Sequence, residues 1–309
     1  MFEIIKSGTK IKFTGMFRFT APISILLVLV SLYLAFGKGL EYGVDFRGGA
    51  EIQVKFSNAI ETKSLRSALT SAGYGGALVQ TFGVEGDNEY LIKVKADEKN
   101  LNGVTDKISS LLVSTFSGDG VEIRKTDIVG PKAGAELRNS GFLAMFYALL
   151  AIMIYIAIRF DFKYSPGAIF ALFHDVSIIL GILSLSSYEF SLQTVAALLA
   201  VIGYSVNDTV VVYDRVREHE EKYAGRSLKE HIDNAINETL SRTILTSFTT
   251  LFVSLAMFFF GGVSIEGFFF TISLGVIIGT YSSIFVAAPI TLLTDKLRGT
   301  GGTVEPKAS

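Results

Sequence analysis

The chain is 309 residues long, half of them hydrophobic and 18% charged, with a formal net charge of -1. That balance, with a pI near 6.3, provides no basic field for nucleic acid, and the absence of cysteine excludes disulfides, thiolate catalysis, zinc-thiolate sites and iron-sulfur clusters. A mean hydropathy of +0.46 beside so many charges requires the apolar residues to be gathered into runs, the pattern of a membrane protein with a soluble part.

Residues 1–16 read as a cytoplasmic N-terminus. Lys6, Lys10, Lys12 and Arg18 precede a hydrophobic run over 17–37, which is about 20 residues long and lacks a small-residue cleavage site, so it is expected to stay as the first transmembrane helix. Residues 38–139 then form a domain of their own. Glu51 to Phe56 alternates as a strand does, and Glu61 to Ala72 has helical spacing up to Gly73, Gly75 and Gly76. Ala77 to Val84 and Tyr90 to Val94 flank the turn Glu85-Gly86-Asp87-Asn88 as a hairpin. Leu101 to Phe116 predicts a second helix, ended by Gly118-Asp119-Gly120, and Val121 to Ile128 a fourth strand. The order strand, helix, strand, strand, helix, strand is ferredoxin-like.

Further hydrophobic runs at 140–159, 166–186, 191–213, 243–263 and 267–292 bring the spans to six, within a membrane region 140–292 and before a cytoplasmic tail, 293–309. The polar stretch 214–241, with apolar spacing at Leu228, Ile232, Ala235 and Ile236, predicts a cytoplasmic amphipathic helix lying on the membrane or on neighbouring loops. Arg159, Lys163, Arg215, Arg217, Lys222, Arg226, Lys229, Lys296 and Arg298 all fall on one side of the spans, and the loops 187–190 and 261–266 contain neither Lys nor Arg. Both termini are therefore expected in the cytoplasm and the 38–139 domain outside it. The expected fold is a polytopic α-helical membrane protein: six transmembrane helices plus an α+β ferredoxin-like extracytoplasmic domain between helices 1 and 2.

Ionisable residues inside the hydrocarbon are the informative ones, because each costs several kcal/mol unless paired, hydrated or neutralised. Asp208 in the fourth run, with Ser205, Asn207 and Thr209 around it, is a candidate proton-binding carboxylate or a structural acceptor between helices. Arg242, at the start of the fifth, is either its counter-charge or a snorkelling cation, and Thr243, Thr246, Ser247, Thr249 and Thr250 beside it suggest a hydrated groove. His174 and Asp175, mid-way along the third, fit a proton relay or an interhelical hydrogen bond. His219 and His231 show no metal-ligand spacing, so neither metal nor cofactor is expected. Gly275 and Gly279 form a small-xxx-small pair of the kind that packs helices closely. With no phosphate-binding loop, energy must come from elsewhere, the membrane potential being the obvious source.

Several strings carry a family resemblance. Gly203-Tyr204-Ser205-Val206-Asn207-Asp208-Thr209-Val210-Val211-Val212-Tyr213-Asp214-Arg215, Leu240-Ser241-Arg242-Thr243, Asp45-Phe46-Arg47-Gly48-Gly49, and Val129-Gly130-Pro131 leading to Glu136-Leu137 together resemble the SecF side of the SecD/SecF protein-export family, along essentially the whole chain. The resemblance implies a half-transporter of the resistance-nodulation-division superfamily in the bacterial inner membrane, with SecD as obligate partner and SecYEG, SecA and YajC as associates. It implies that protons drive the completion of preprotein export, and it places Asp208 and Arg242 on the proton pathway, with Asn207, Thr209, Asp175 and His174 as accompanying residues. Asp45, Gly48, Gly49 and Gly203 are then family-motif positions, the first three at the junction between membrane and domain. The alternative function is a passive scaffold whose intramembrane charges only fasten helices. A membrane enzyme lacks a nucleophile or metal partner at a convincing spacing.

Overall fold

The computed structural model describes residues 9–83, 86–95, 101–186 and 188–298. Lys6, the Glu85 corner of the hairpin turn and the tail beyond 298 lie outside the described residues. The membrane part comprises helix α1 (Phe17–Tyr33, continued by a π-helical turn Leu34–Lys38), α5 (Pro131–Arg159), α6 (Ser165–Leu185), α7 (Leu192–Lys222), α8 (Leu228–Phe260), α9 (Val263–Ser282) and α10 (Ala288–Leu297), the last two joined by a π-helical turn at Ser283–Ala287. These make six helical stretches long and apolar enough to cross a membrane.

Between the first and second lies the α+β domain, with the single turn α2 (Val44–Arg47), β1 (Gly49–Phe56), α3 (Thr62–Ser71), β2 (Leu78–Phe82), β3 (Glu89–Val94), α4 (Leu101–Thr115) and β4 (Val121–Val129). The strands run antiparallel in the order β2-β3-β1-β4. Strand periodicity decides which face is covered: Ala50, Ile52, Val54 and Phe56 of β1 are all fully buried beneath Leu65 and Leu69 of α3 and Ile108 and Leu112 of α4. Glu51, Gln53 and Lys55 alternate onto the other face, which turns toward the bundle.

Two glycines join domain to bundle because no other residue fits. Gly48 has φ +80°, and a Cβ there would lie 2.6 Å from the Pro131 Cα; Gly49, at φ +149°, would place one 2.3 Å from the Val94 carbonyl oxygen. From the other side, a Cβ on Gly134 would meet the Gly48 nitrogen at 2.9 Å, so the start of α5 and the start of β1 are in backbone contact. Phe46, buried, meets Tyr42 edge to face and Phe190 at a tilt, and the Phe190 amide donates to the Glu41 carbonyl at 2.6 Å. Asp45 accepts from the Leu192 amide at 3.4 Å, at the positive N-terminal end of α7. A cavity of about 260 Å³ separates the free sheet face from the loops of the bundle, and Lys93 bridges it by pairing with Glu189 at 2.7 Å and Glu51 at 3.6 Å.

Within the bundle α6, α7 and α9 form the centre. Gly275 and Gly279 are indeed packing positions: Cβ atoms there would lie 2.1 Å from Val201 and 3.0 Å from Ser205 of α7. The expectation for 214–241 needs correction. Those residues are not a separate amphipathic helix; α7 continues to Lys222, the chain turns at Gly225 (φ +93°), and α8 restarts at Leu228 with Ser227 accepting from the Glu230 amide. The apolar positions Ile232, Ala235 and Ile236 share one buried cluster with Val212, Tyr213 and Val216 of α7 and with Ile156, Tyr164 and Ala168, so this hairpin is packed into the core at this end of the bundle. Asp233 and Asn237 on it also bind the backbone of Thr14 and Ile11.

Candidate functional site

Among the described residues, Asp208 and Asp175 are the two carboxylates enclosed by the bundle's central helices. Asp208 faces α8 and the last span, where Thr243 Oγ1 donates to its Oδ1 at 2.6 Å and Ser283 Oγ to its Oδ2 at 2.5 Å. Among the described residues no ion pair joins it to Arg242. Neighbouring helical residues project about 100° apart; with Thr243 buried against α7, Arg242 is turned to the exposed surface. There it lines a groove of about 350 Å³ with Val211, Asp214, Arg215, Glu218, Glu238 and Thr239, next to the carboxylate but not bonded to it.

Asp175, fully buried on α6, gathers three polar partners. His174 Nδ1 lies 2.9 Å from Oδ1, while Ser205 of α7 and Ser282 of α9 donate to Oδ2 at 2.5 and 2.8 Å. The imidazole stacks on Tyr281, whose hydroxyl contacts Ser24 of α1 at 2.9 Å, and His174 Nε2 is buried without a hydrogen-bond partner among the described residues. A second polar chain, Tyr204 to Ser247 to Thr280, runs alongside.

Asp208, Asp175 and His174 thus stand in the same polar centre. Thr209 is buried but spends its hydroxyl on the Ser205 carbonyl of its own helix, and Asn207 is exposed. Gly203, one helical turn earlier, is exposed too, with nothing within 4 Å of a Cβ built on it. Asp45, Gly48 and Gly49 belong to the domain junction. Ser282 and Ser283 are the residues that reading the sequence misses. The available signal is Pro289: lacking an N–H and crowding the carbonyl four residues earlier, it disfavours α-helix just after them. Among the described residues no cluster of three or more His, Asp or Glu is placed to hold a metal ion.

Gly203, Asn207, Arg242, Thr246 and Thr249 form an exposed polar strip along α7 and α8, unlike the Phe248, Phe252 and Phe259 side chains elsewhere on α8. Thr246 and Thr249 donate to carbonyls of their own helix, so Asn207 and Arg242 are the members of the strip that lipid tails cannot satisfy.

Comparison with known proteins fits this geometry. Residues 109–297 match the C-terminal model of the SecD/SecF protein export membrane proteins, and residues 33–60, around Gly48 and Gly49, match the SecD/SecF GG motif. Protein translocase subunit SecF of Calditerrivibrio nitroreducens is 42% identical over 96% of this chain and 98% of its own length; that of Desulfurispirillum indicum is 43% identical over 90% of each. Among solved structures, SecDF from Thermus thermophilus, described as a translocon-associated membrane protein, superposes with a TM-score of 0.81 at 32% identity over 94% of this chain, and a SecDF in a super-membrane-facing form with 0.72 at 33% over 97%. This chain spans 39% and 40% of those two longer proteins. The chain is a multi-pass membrane protein that belongs to the SecD/SecF protein-export family, among its SecF members.

Proposed function

We propose that this chain works with a SecD partner in the bacterial inner membrane, both termini in the cytoplasm and the α+β domain outside, to couple the proton motive force to completion of protein export through SecYEG. SecA, YajC and the moving preprotein are the further contacts this role entails. The observation that carries the reading is Asp208, a carboxylate held, among the described residues, by the hydroxyls of Thr243 and Ser283 from two other helices. A group so held exchanges a proton without breaking an ion pair, because a hydroxyl can turn from donor to acceptor as the carboxylate becomes an acid.

A proton arriving from outside would form a bond to Asp208, oblige Thr243 and Ser283 to reorient, and loosen α7 from α8 and the last span. The domain end of α7 is fastened to Asp45, so a shift of α7 would carry to the domain. Release toward the cytoplasm would pass the groove containing Arg242 and reset the helices. In the same scheme His174 with Asp175 forms a second site, the free Nε2 being the acceptor. The strip from Gly203 to Thr249 supports the SecD partnership, as the face that another protein's helices would cover.

The test is export in cells carrying Asp208→Asn, with the level of the chain and its co-purification with SecD measured alongside. Loss of the gradient-dependent stage at unchanged level and association is the expected result. Full export would make Asp208 a helix fastener and the chain a passive scaffold.

A further inference from the structure

Ser282 and Ser283 sit side by side in the last span, yet each binds a different carboxylate: Ser282 the Asp175 of α6, Ser283 the Asp208 of α7. Neighbouring residues on a helix point about 100° apart, which lets one helix wedged between two others reach both. Each hydroxyl also lies near a carbonyl of its own helix, Gly279 at 3.2 Å for Ser282 and Thr280 at 3.1 Å for Ser283. A serine has one proton to donate, so each has two alternative acceptors and can change between them by a rotation. Both serines are fully buried, and no bulk water can replace either bond.

The backbone at this point departs from the ordinary α-helical ladder. The π-helical turn Ser283–Ala287 begins at the second serine, and Pro289 prevents the ordinary α-helical bond to Phe285. Asp175 is in turn bound by Ser205, three residues before Asp208 on α7, so α6, α7 and the last span are each tied to the other two by one carboxylate–serine bond.

We propose that Ser282 and Ser283 are positioning residues that couple Asp175 and Asp208 into one unit through the π-helical turn; this rests on the proton-driven reading of Asp208. When Asp208 is ionised Ser283 donates to it and the turn is held open. When Asp208 is protonated Ser283 turns to the Thr280 carbonyl, the turn relaxes, and Ser282 is displaced from Asp175. The charged and titratable groups facing this unit are Arg242 on α8, His174 on α6, and the phenols of Tyr204 on α7 and Tyr281 on α9.

The test uses the full chain with its SecD partner in native-lipid vesicles and a hydrophobic carbodiimide, which modifies protonated carboxyls, with labelling at Asp208 read by mass spectrometry against pH. Ser283→Ala removes a donor to the ionised form and is expected to move half-labelling upward by about 1 pH unit. Ser282→Ala, which touches Asp175 and not Asp208, is expected to move it the same way by about 0.4 pH units. Ser282→Thr and Ser283→Thr keep the hydroxyls and are expected to hold the natural profile; if either alanine variant fails to assemble, cysteine, similar in size and a weak donor, takes its place. An Asp208 profile that titrates in the natural chain but does not move in Ser282→Ala overturns the coupling and leaves the proton reading standing. Threonine variants that shift as far as alanine overturn it as well, since volume rather than the hydroxyl would then set the profile. Labelling of Asp208 that never varies with pH in the natural complex removes the proton reading and this inference with it.

Discussion

The junction beneath the α+β domain and the polar centre of the bundle are built by opposite means. At the junction, backbone meets backbone: Gly48 on Pro131, Gly49 on the Val94 carbonyl, Gly134 on Gly48, with no room for a methyl group. In the centre, the side-chain hydroxyls of Thr243, Ser283, Ser282 and Ser205 meet carboxylates, and Ser282 and Ser283 each have a carbonyl of their own helix within reach as an alternative acceptor. Close-packed contacts transmit displacement because they cannot deform; hydroxyl contacts respond to a proton because they can turn. A stiff lever on a soft centre is the arrangement that the proposed proton-driven motion would use.

The largest expected effect comes from making the junction deform. Gly49→Val adds a branched side chain at φ +149° into the Val94 carbonyl and should cost more than ~4 kcal/mol, enough to abolish the docked domain. Limited proteolysis of the purified complex checks it, and a domain as resistant as the natural one would show that the junction yields. Next is Arg242, the cation in the groove beside the centre. Arg242→Lys keeps the charge but loses the planar fork and is expected to retain partial export, on the order of a tenth of normal, whereas Arg242→Ala is expected to retain none. Equal export by both would remove any need for a guanidinium.

The charged bridge beside the junction is smaller in effect. Burial works against the Lys93 ammonium, but Glu189 and Glu51 outweigh it and hold its proton more tightly than usual. Docking gains from Lys93 are therefore complete below 10.5 and are lost only as pH rises through the elevated folded value, so Lys93→Ala should lower docking stability by roughly 1 kcal/mol, evenly between pH 6 and 9. Glu51 is pushed up from 4.5 mainly by burial, with Lys93 opposing. An acid raised on docking favours the docked form below its ordinary value and loses that contribution as pH rises through the raised one. Glu51→Gln should accordingly flatten this part of the melting profile just above pH 4.5, and an unchanged slope would place the burial elsewhere. The smallest effect is at the exposed strip: Gly203→Ala meets nothing in this chain and should leave its stability within about 0.5 kcal/mol, while Gly203→Phe should weaken co-purification with SecD. Undisturbed association with phenylalanine would put the partner on another face.

Much of this architecture is legible in the sequence, because its physics is periodic. The alternation at Glu51 to Phe56 and the apolar runs reveal the strand and the six spans, although α5 begins as early as Pro131, α7 runs on to Lys222 and α8 starts at Leu228, and the two carboxylates announce themselves as charges in apolar surroundings. The hairpin of α7 and α8 is less visible, since dense charge at 214–241 masks helices that continue; Ser227 with Glu230 three residues on is the capping pattern that marks the restart. Which of Arg242 and Thr243 meets Asp208 depends on helix rotation, and one residue is 100°. Ser282 and Ser283 stay hidden because serine carries no charge and fits readily in an apolar helix, and because their reach depends on the π-helical turn.

The central claim is that Asp208 carries the proton. Proton flux during preprotein movement, followed with a pH-sensitive dye trapped in vesicles containing the complete translocase, tests it most directly against Asp208→Asn. Flux tied to translocation in the natural complex and absent from the variant is the expected result; equal flux in both would contradict the account.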